Sequence, residues 1–364
     1  TLHFMDGQIP TTQWAISYLS QGKTKVAKVP VPKPGPGQVL IKVAAAPINP
    51  SDLMFLGGAY ESFYKMTYPN VPGWEGSGTI IATGGGMSTM CLSGKRVSFL
   101  RKSNGGVKEL GGAYQQYIVT DADNVIEQSN DTVSDEVASM QFINPLTAIS
   151  LLHRATEGLK AQAVVQNAAA SQLGRMIIYL AKKKGIPLIN IVRKDEQIAQ
   201  LKKECGAEYV FNQESEGFGE ELKKLVQKLN ATVAFECIAG DMSGKMMDYL
   251  NPQSTVIVYG ALSGQAVGAI DNFGMIFQDR KMEGFVIFQY LYRFGKSFTE
   301  KVFKEGRELN SIKEFQPTVA KRIKLSEFQA AIGEYSSNMS AGKWVLLPNE
   351  FDDKLVDGAE FPEF

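Results

Sequence analysis

The segment QNAAASQLGRM, Gln166 to Met176, leads from an apolar run into a helix-type sequence and holds a single glycine, Gly174. Phosphate-binding turns between strand and helix use glycines for three purposes: a tight turn, close approach of the backbone to a pyrophosphate, and close packing of helix on strand. Gly174 suits the third. Ala168, Ala169, Ala170 and Ser171 keep the turn small, and the Ser171 hydroxyl is a donor for a phosphate oxygen. The helix start beyond supplies free N–H groups and the positive end of a dipole. Gln172 is discordant, a long side chain where glycine or alanine serves better, so the turn alone is a weak sign of a dinucleotide site. The next apolar run, PLINIV, ends in Arg193 and Lys194, the first of them nineteen residues beyond Gly174. An acid there holds the 2′-hydroxyl of NAD, whereas an arginine suits the 2′-phosphate of NADP. The pair therefore predicts NADPH; its plainer reading is a solvated loop.

Other reactive residue types carry less. Cys91, Cys205 and Cys237 are far apart and His3 and His153 are the only histidines, which argues against a disulfide framework or a zinc site. His153 follows an apolar helical stretch and reads as structural, while Cys237 lies in a buried-type strand and reads as inert. Gly84-Gly85-Gly86 reads as a hairpin turn, not a phosphate loop.

The elements that must position these residues fall into two regimes. The first ~140 residues are short β-type runs between Gly/Pro turns, PKPGPG (Pro32 to Gly37) being the clearest, which predicts an antiparallel, barrel-like domain. A helix follows from SDEVASM, with Ser134 as N-cap. After Pro145, continuous apolar strands alternate with amphipathic helices of ~10–15 residues, the pattern of a parallel sheet built from βαβ units. The tail from ~318 returns to strands, TVAKRIKL and KWVLLP, which have nothing of their own to pair with and are expected to close the first domain. The last residues, NEFDDKLVDGAEFPEF, carry six acids and one lysine: a solvated tail, or an arm that packs on a partner.

Thirty-eight basic and thirty-eight acidic residues cancel, which gives no global field for nucleic acid. No apolar run approaches membrane-spanning length. The chain starts at Thr1 without methionine, which leaves room for a removed leader, and its first residues show neither a signal-peptide nor a transit-helix pattern.

The order of β domain, Rossmann-type domain and returning β tail resembles the medium-chain dehydrogenase/reductase superfamily, over roughly Ala15 to Pro348. PKPGPGQVLIKVAAAPINPSD is similar to that family's opening strand and active-site loop. GKRVSFL, GGAYQQYIVTDADNVIEQ and INPLTAISLL are similar to its next landmarks and to the helix leading into the cofactor domain. The resemblance implies an α/β fold, with a GroES-like β-barrel domain split over residues 1–143 and 291–364 around a doubly wound, parallel-sheet Rossmann domain at 144–290. Zinc-dependent members place a cysteine in the loop that here reads Asn49-Pro50-Ser51-Asp52, and a histidine where Gly73-Trp74-Glu75 stands. Their four-cysteine lobe is missing too, so the resemblance is to the zinc-free branch of quinone reductases and 2-enoyl thioester reductases, with no metal.

Within that branch INPSDLMFLGGAY, ending in Tyr60, and the Asn167–Arg193 stretch look most like mitochondrial trans-2-enoyl thioester reductases. The implied reaction is NADPH-dependent reduction of the C2=C3 double bond in fatty acid synthesis. Tyr60 would protonate the α-carbon or orient the water that does. Asn49 would hold the nicotinamide carboxamide or the substrate; its plainer reading is an Asx turn before Pro50. Cofactor-binding roles pass to Asn167, Ser171, Gln172, Leu173, Gly174, Arg193, Lys194, Tyr259 and Gly260, and pocket-lining roles to Trp74, Phe285 and Val286. Val286 departs from the family's tryptophan; Phe288, Tyr290 and Tyr292 beside it read as compensating aromatics or as core. The substrate would be an acyl thioester on CoA or an acyl carrier protein, steered by Arg280 and Lys281. A homodimer is implied through the Rossmann-sheet edge, expected near Ala269 to Phe277, and so is a place in the mitochondrial matrix, with the cytoplasm as alternative. Two other readings stay open: a zinc-free NADPH:quinone reductase, and a non-catalytic accessory subunit of a larger complex, suggested by Gln172, Val286 and the acidic tail.

Overall fold

Strands separated by Gly/Pro turns pair locally, and the first part of the chain does so. The computed structural model describes residues 9–61, 63, 67–101, 111–128 and 133–357. In chain order the elements begin with β1 (Thr12–Ser20), β2 (Lys23–Pro30), β3 (Gln38–Pro47), α1 (Pro50–Leu56), β4 (Glu75–Thr83), β5 (Arg96–Leu100), β6 (Tyr117–Asp121), β7 (Val125–Glu127) and the single turn α2 (Asp135–Ala138). Ser134 caps α2, its hydroxyl accepting the Val137 N–H at 3.3 Å. The alternating region follows: α3 (Ile143–His153), β8 (Ala163–Gln166), α4 (Gln172–Lys184), β9 (Leu188–Val192), α5 (Asp195–Cys205), β10 (Tyr209–Asn212), α6 (Phe218–Leu229), β11 (Ala231–Glu236), α7 (Asp241–Tyr249), β12 (Thr255–Val258), α8 (Asn272–Gln278), β13 (Lys281–Gly284) and α9 (Ile287–Asn310). The tail adds β14 (Val319–Ile323), α10 (Phe328–Ser337) and β15 (Lys343–Leu346).

Two compact units result, one of Thr1–Ile143 with Pro317–Phe364 and one of Asn144–Gln316. In the first, β1 and β2 form a hairpin and the larger sheet runs β14-β15-β3-β4-β5-β7, with β6 on β3. The tail closes this sheet as its sequence predicts: β15 pairs antiparallel with β3, placing Val345 opposite Pro47 and Leu346 opposite Ala46. Ile41, Phe99, Tyr114, Phe328 and Leu346 are among its buried core. The Gly84–Gly86 segment is a turn packed on the Gly35–Gly37 backbone, Gly37 donating its N–H to the Gly85 carbonyl at 2.8 Å.

In the second unit the strand order is β10-β9-β8-β11-β12-β13, with every neighbouring pair parallel. Chain order reverses between β8 and β11, and ligands of doubly wound sheets bind outside the strand ends at such a switch point. Val165, Ile189, Leu222, Met246 and Val256 form its core. Among the described residues no helix is long and apolar enough to cross a membrane.

Three expectations are corrected. The second unit ends at Gln316, not at 290, because α9 belongs to it: Gly306 sits so close to α3 that a Cβ there would lie 3.1 Å from Leu146. The edge strands of the sheet are β10 and β13, while residues 272–277 of the expected edge belong to the helix α8, capped by Asp271. Arg280 is no steering charge; its Nη2 donates to the Leu250 carbonyl at 2.9 Å and Nη1 to Asp248 at 3.4 Å, and Lys281 pairs with Asp279 at 3.1 Å. Over its described length the acidic tail is tied to its own unit. Asn349 donates to the carbonyls of Val43 and Gln116, Asp352 accepts from Ser326, and Asp357 accepts the Lys28 N–H at 2.8 Å. Its residues 358–364 lie outside the described residues, as does His3.

Candidate functional site

The loop before α1 turns sharply because Pro50 pre-sets the first helical φ and Asp52 accepts the Asn49 N–H at 2.8 Å. The Asn49 side chain makes no cap. It is buried, donating Nδ2–H to Glu75 Oε1 at 3.1 Å and accepting from Lys343 Nζ at 2.5 Å. Glu75, buried at the start of β4, accepts the N–H groups of Phe142 and Ile143 at 2.8 and 3.0 Å through its other oxygen. Asn49 is thus a strut between an acid and a cation rather than a group presented to a ligand. Lys343 is 2 % exposed, and burial pulls its pKa down to about 8 against the pull of Glu75 and Asp52. Burial pushes the Asp52 carboxyl up to about 7 and raises Glu75 as well.

Above this cluster stands an aromatic wall. Gly73 has φ +101, and a Cβ there would lie 2.7 Å from the Tyr114 ring, so only glycine brings Trp74 in at this angle. The Trp74 ring packs against Tyr60 at 5.4 Å and Phe55 at 5.6 Å between centroids. Tyr60, half-buried after the Gly57-Gly58 turn, also meets Phe55 at 6.1 Å. Arg101 lies over Trp74, its Cζ 5.2 Å from the ring centroid. The structure therefore gathers Asn49, Tyr60 and Trp74 in the first unit.

In the second unit the turn after β8 is built from the strand end outward. Ala168 adopts φ 48, Ala169 donates its N–H to the Ile191 carbonyl at 3.1 Å, and Ser171 caps α4 by accepting the Gly174 N–H at 3.0 Å. A Cβ on Gly174 would lie 2.5 Å from the Ala169 carbonyl oxygen, so the helix packs on the turn at a distance only glycine permits. Gln172 is buried at the first position of α4 and Leu173 is half-buried beside it. Arg193 and Lys194 are exposed directly after β9, the neighbour of β8. Lys194 has a loose pair with Glu196 at 3.9 Å. A small turn, a helix start and two exposed cations beside it fit the pyrophosphate and 2′-phosphate of a dinucleotide.

Asn167 has a different task. Its Nδ2–H donates to Glu236 at 2.8 Å and its Oδ1 accepts the Cys237 N–H at 3.0 Å, tying β8 to β11 across the switch point. Glu236 is buried and saturated, accepting also from Ile238, Ala239 and the Ser243 hydroxyl at 2.7, 2.9 and 2.8 Å. Tyr259 donates its N–H to the Glu236 carbonyl at 2.9 Å, and a Cβ on Gly260 would lie 3.0 Å from Cys237, so both belong to this knot. Burial raises the Cys237 thiol to about 12, which keeps it an unreactive thiol, as its strand position predicts.

Phe285 and Val286 line a cavity of about 160 Å³ with Arg154, Glu283, Gln289 and Arg293. Arg154 and Glu283 form a two-point ion pair at 2.7 Å on its wall, so the lining is largely polar, and Val286 is 51 % exposed. Tyr290 is core: its hydroxyl is 2.8 Å from His153 Nδ1, and the His153 ring packs on Phe294 and Phe298. Tyr292 is exposed.

Lys343 and Glu236 escape a sequence reading. Each leaves one trace, a charge at the end of an otherwise apolar strand, in KWVLLP and ATVAFECIAG. Among the described residues no three His, Cys, Asp or Glu gather as a metal site.

Two family models match the chain, the alcohol dehydrogenase GroES-like domain over residues 35–130 and the zinc-binding dehydrogenase over residues 173–302. A mitochondrial enoyl-[acyl-carrier-protein] reductase of Caenorhabditis elegans is 32 % identical over 70 % of this chain and 70 % of its own length. The protein of the same name from Rattus norvegicus is 30 % identical over 73 % and 68 %. Among solved structures, a "putative NADPH:quinone reductase" of Mesorhizobium loti is 30 % identical, with a TM-score of 0.82, covering 94 % of this chain and 100 % of its own.

Proposed function

Because the chain belongs to the medium-chain dehydrogenase/reductase superfamily, in its zinc-free branch of enoyl and quinone reductases, we propose that it reduces the C2=C3 double bond of trans-2-enoyl thioesters with NADPH. It is an oxidoreductase that uses a nicotinamide cofactor; acceptor class and preference for NADPH are the proposal. The observation that carries it is Tyr60, held against Trp74 at 5.4 Å at the end of the active-site loop.

The nicotinamide supplies a hydride when bound. This chain's residues do the rest. The Ser171-capped start of α4 and Gly174 admit the pyrophosphate, and Arg193 with Lys194 meets the 2′-phosphate. Tyr60 delivers a proton to the α-carbon, or aligns the water that does, from a ring that Trp74 and Phe55 keep in place. Asn49 acts one layer below, fixing the loop through Lys343 and Glu75. An acyl chain on CoA or a carrier protein is the matching substrate, and mitochondrial fatty acid synthesis the matching setting, as in the relatives' names.

The test is consumption of reduced nicotinamide by the full chain with trans-2-enoyl-CoA. Tyr60→Phe is expected to lower kcat by ~10²-fold or more, in the range of general-acid effects, with cofactor affinity intact. Reduction of quinones with no turnover of enoyl thioesters would replace this reading with the second, which the Mesorhizobium loti structure favours.

A further inference from the structure

Arg101, directly after β5, is 3 % exposed, so its guanidinium is a buried charge. Its Nη1 is shielded from solvent and without a partner, and so is the indole Nε1 of Trp74. The two lie together: Arg101 Cζ is 5.2 Å from the Trp74 ring centroid and 5.6 Å from that of Phe55. The Arg101 N–H donates to the Trp74 carbonyl at 2.8 Å, which fixes their backbones side by side. Asp52 is the charge that acts on the guanidinium, without a hydrogen bond between them.

A buried charge with an unmatched N–H is costly to a fold, and an unmatched indole N–H adds to it. Packing does not require it, since a methionine fills similar volume without the charge. Guanidinium and indole are donors only, so whatever completes them is an acceptor. A carbonyl or carboxylate oxygen has that chemistry, and its match improves as its negative charge grows.

We propose that Arg101 and Trp74 form the site for the acceptor's carbonyl oxygen. This rests on the enoyl thioester reading above. When hydride adds to C3, the C2=C3 pair moves into a C1=C2 bond and the carbonyl pair moves onto oxygen, giving an enolate. Arg101 faces that oxyanion with a fixed positive charge. Protonation at C2 then restores C1=O, so one hydride and one proton have been added across C2=C3.

The experiment compares wild type, Arg101→Met, Arg101→Lys and Trp74→Phe in the full chain. With trans-2-enoyl-CoA, Arg101→Met is expected to lose ~10²–10³-fold in kcat while KM and NADPH affinity stay within a few-fold, because the interaction grows only in the transition state. Arg101→Lys keeps the charge and retains part of the rate. Arg101→Met is also expected to melt above wild type, since the buried charge is gone. A wild-type kcat in Arg101→Met overturns the site. If wild type turns over no enoyl thioester, the reading of function fails and the site is judged by binding alone, with hexanoate as probe. Saturable quenching of tryptophan fluorescence that Arg101→Met abolishes supports the site; no quenching in wild type overturns it.

Discussion

Lys343 Nζ lies 2.5 Å from Asn49 Oδ1, across 294 residues of sequence, and joins β15 to the loop that carries Tyr60. The contact sits in a buried cluster where the Lys343 cation acts on both the Asp52 and Glu75 carboxyls. Taking the cation away leaves two buried acids without it. Lys343→Met is therefore expected to destabilise by ~3–5 kcal/mol, the usual effect of removing one partner of a buried pair, read as a lower urea midpoint. An unchanged midpoint would mean that the carboxyls are already compensated without it.

The same cluster makes stability depend on pH. Asp52 is held up at about 7, above its ordinary 3.8, so between about pH 4 and 7 the folded chain binds more protons than the unfolded one. Stability from this group is thus lost as pH rises through that window. Lys343 is held down at about 8, below its ordinary 10.5, so between about pH 8 and 10 the unfolded chain binds more protons and stability rises with pH. Asp52→Asn removes the first limb alone. Urea unfolding of wild type and Asp52→Asn at pH 5 and pH 7.5 checks this: the variant must gain on wild type at the higher pH.

What was legible in the sequence follows from how local its cause is. Strands β8 to β12 read correctly because each is a short apolar run between amphipathic helices, a pattern carried within a few residues. Gly174 reads correctly because helix packing acts within the turn itself, whereas the structure adds a capping role for Ser171 that its reading as a phosphate donor does not include. Arg280 did not, because its partners Asp248 and Leu250 come from a different βα unit, 32 and 30 residues earlier. The sequence predicts that Asn49 and Asn167 hold substrate or cofactor, and the structure turns neither to that task. Their partners Lys343 and Glu236 exist only in the folded chain, and both asparagines turn inward to them.

Gly174 sits against the Ala169 backbone, with 2.5 Å from a hypothetical Cβ to the carbonyl oxygen and 2.8 Å to the carbonyl carbon. Neither atom is a flexible side-chain end, so the helix itself must move. Gly174→Ala is expected to destabilise by ~1–3 kcal/mol, as overpacking does, and to weaken NADPH binding through displacement of the α4 N-terminus. Calorimetric melting and a fluorescence titration with NADPH read the two effects. A variant that melts like wild type would show that the turn yields at no cost.

Arg193 is exposed at the end of β9, with its backbone N–H donating to Gln197 Oε1 at 3.2 Å. Nothing about its packing calls for an arginine; the proposed contact with a 2′-phosphate does. Charge-assisted hydrogen bonds contribute ~1.5–3 kcal/mol, which corresponds to roughly 10–150-fold in affinity. Arg193→Ala is expected to weaken NADPH by that factor and leave NADH, which lacks the 2′-phosphate, unchanged. Parallel titrations of wild type and variant with both nucleotides decide it. Equal loss for both would place Arg193 in the fold of the loop rather than on the phosphate. No binding of either by wild type would mean that Gln172 closes the turn, and the accessory-subunit reading would then account for the chain better than catalysis.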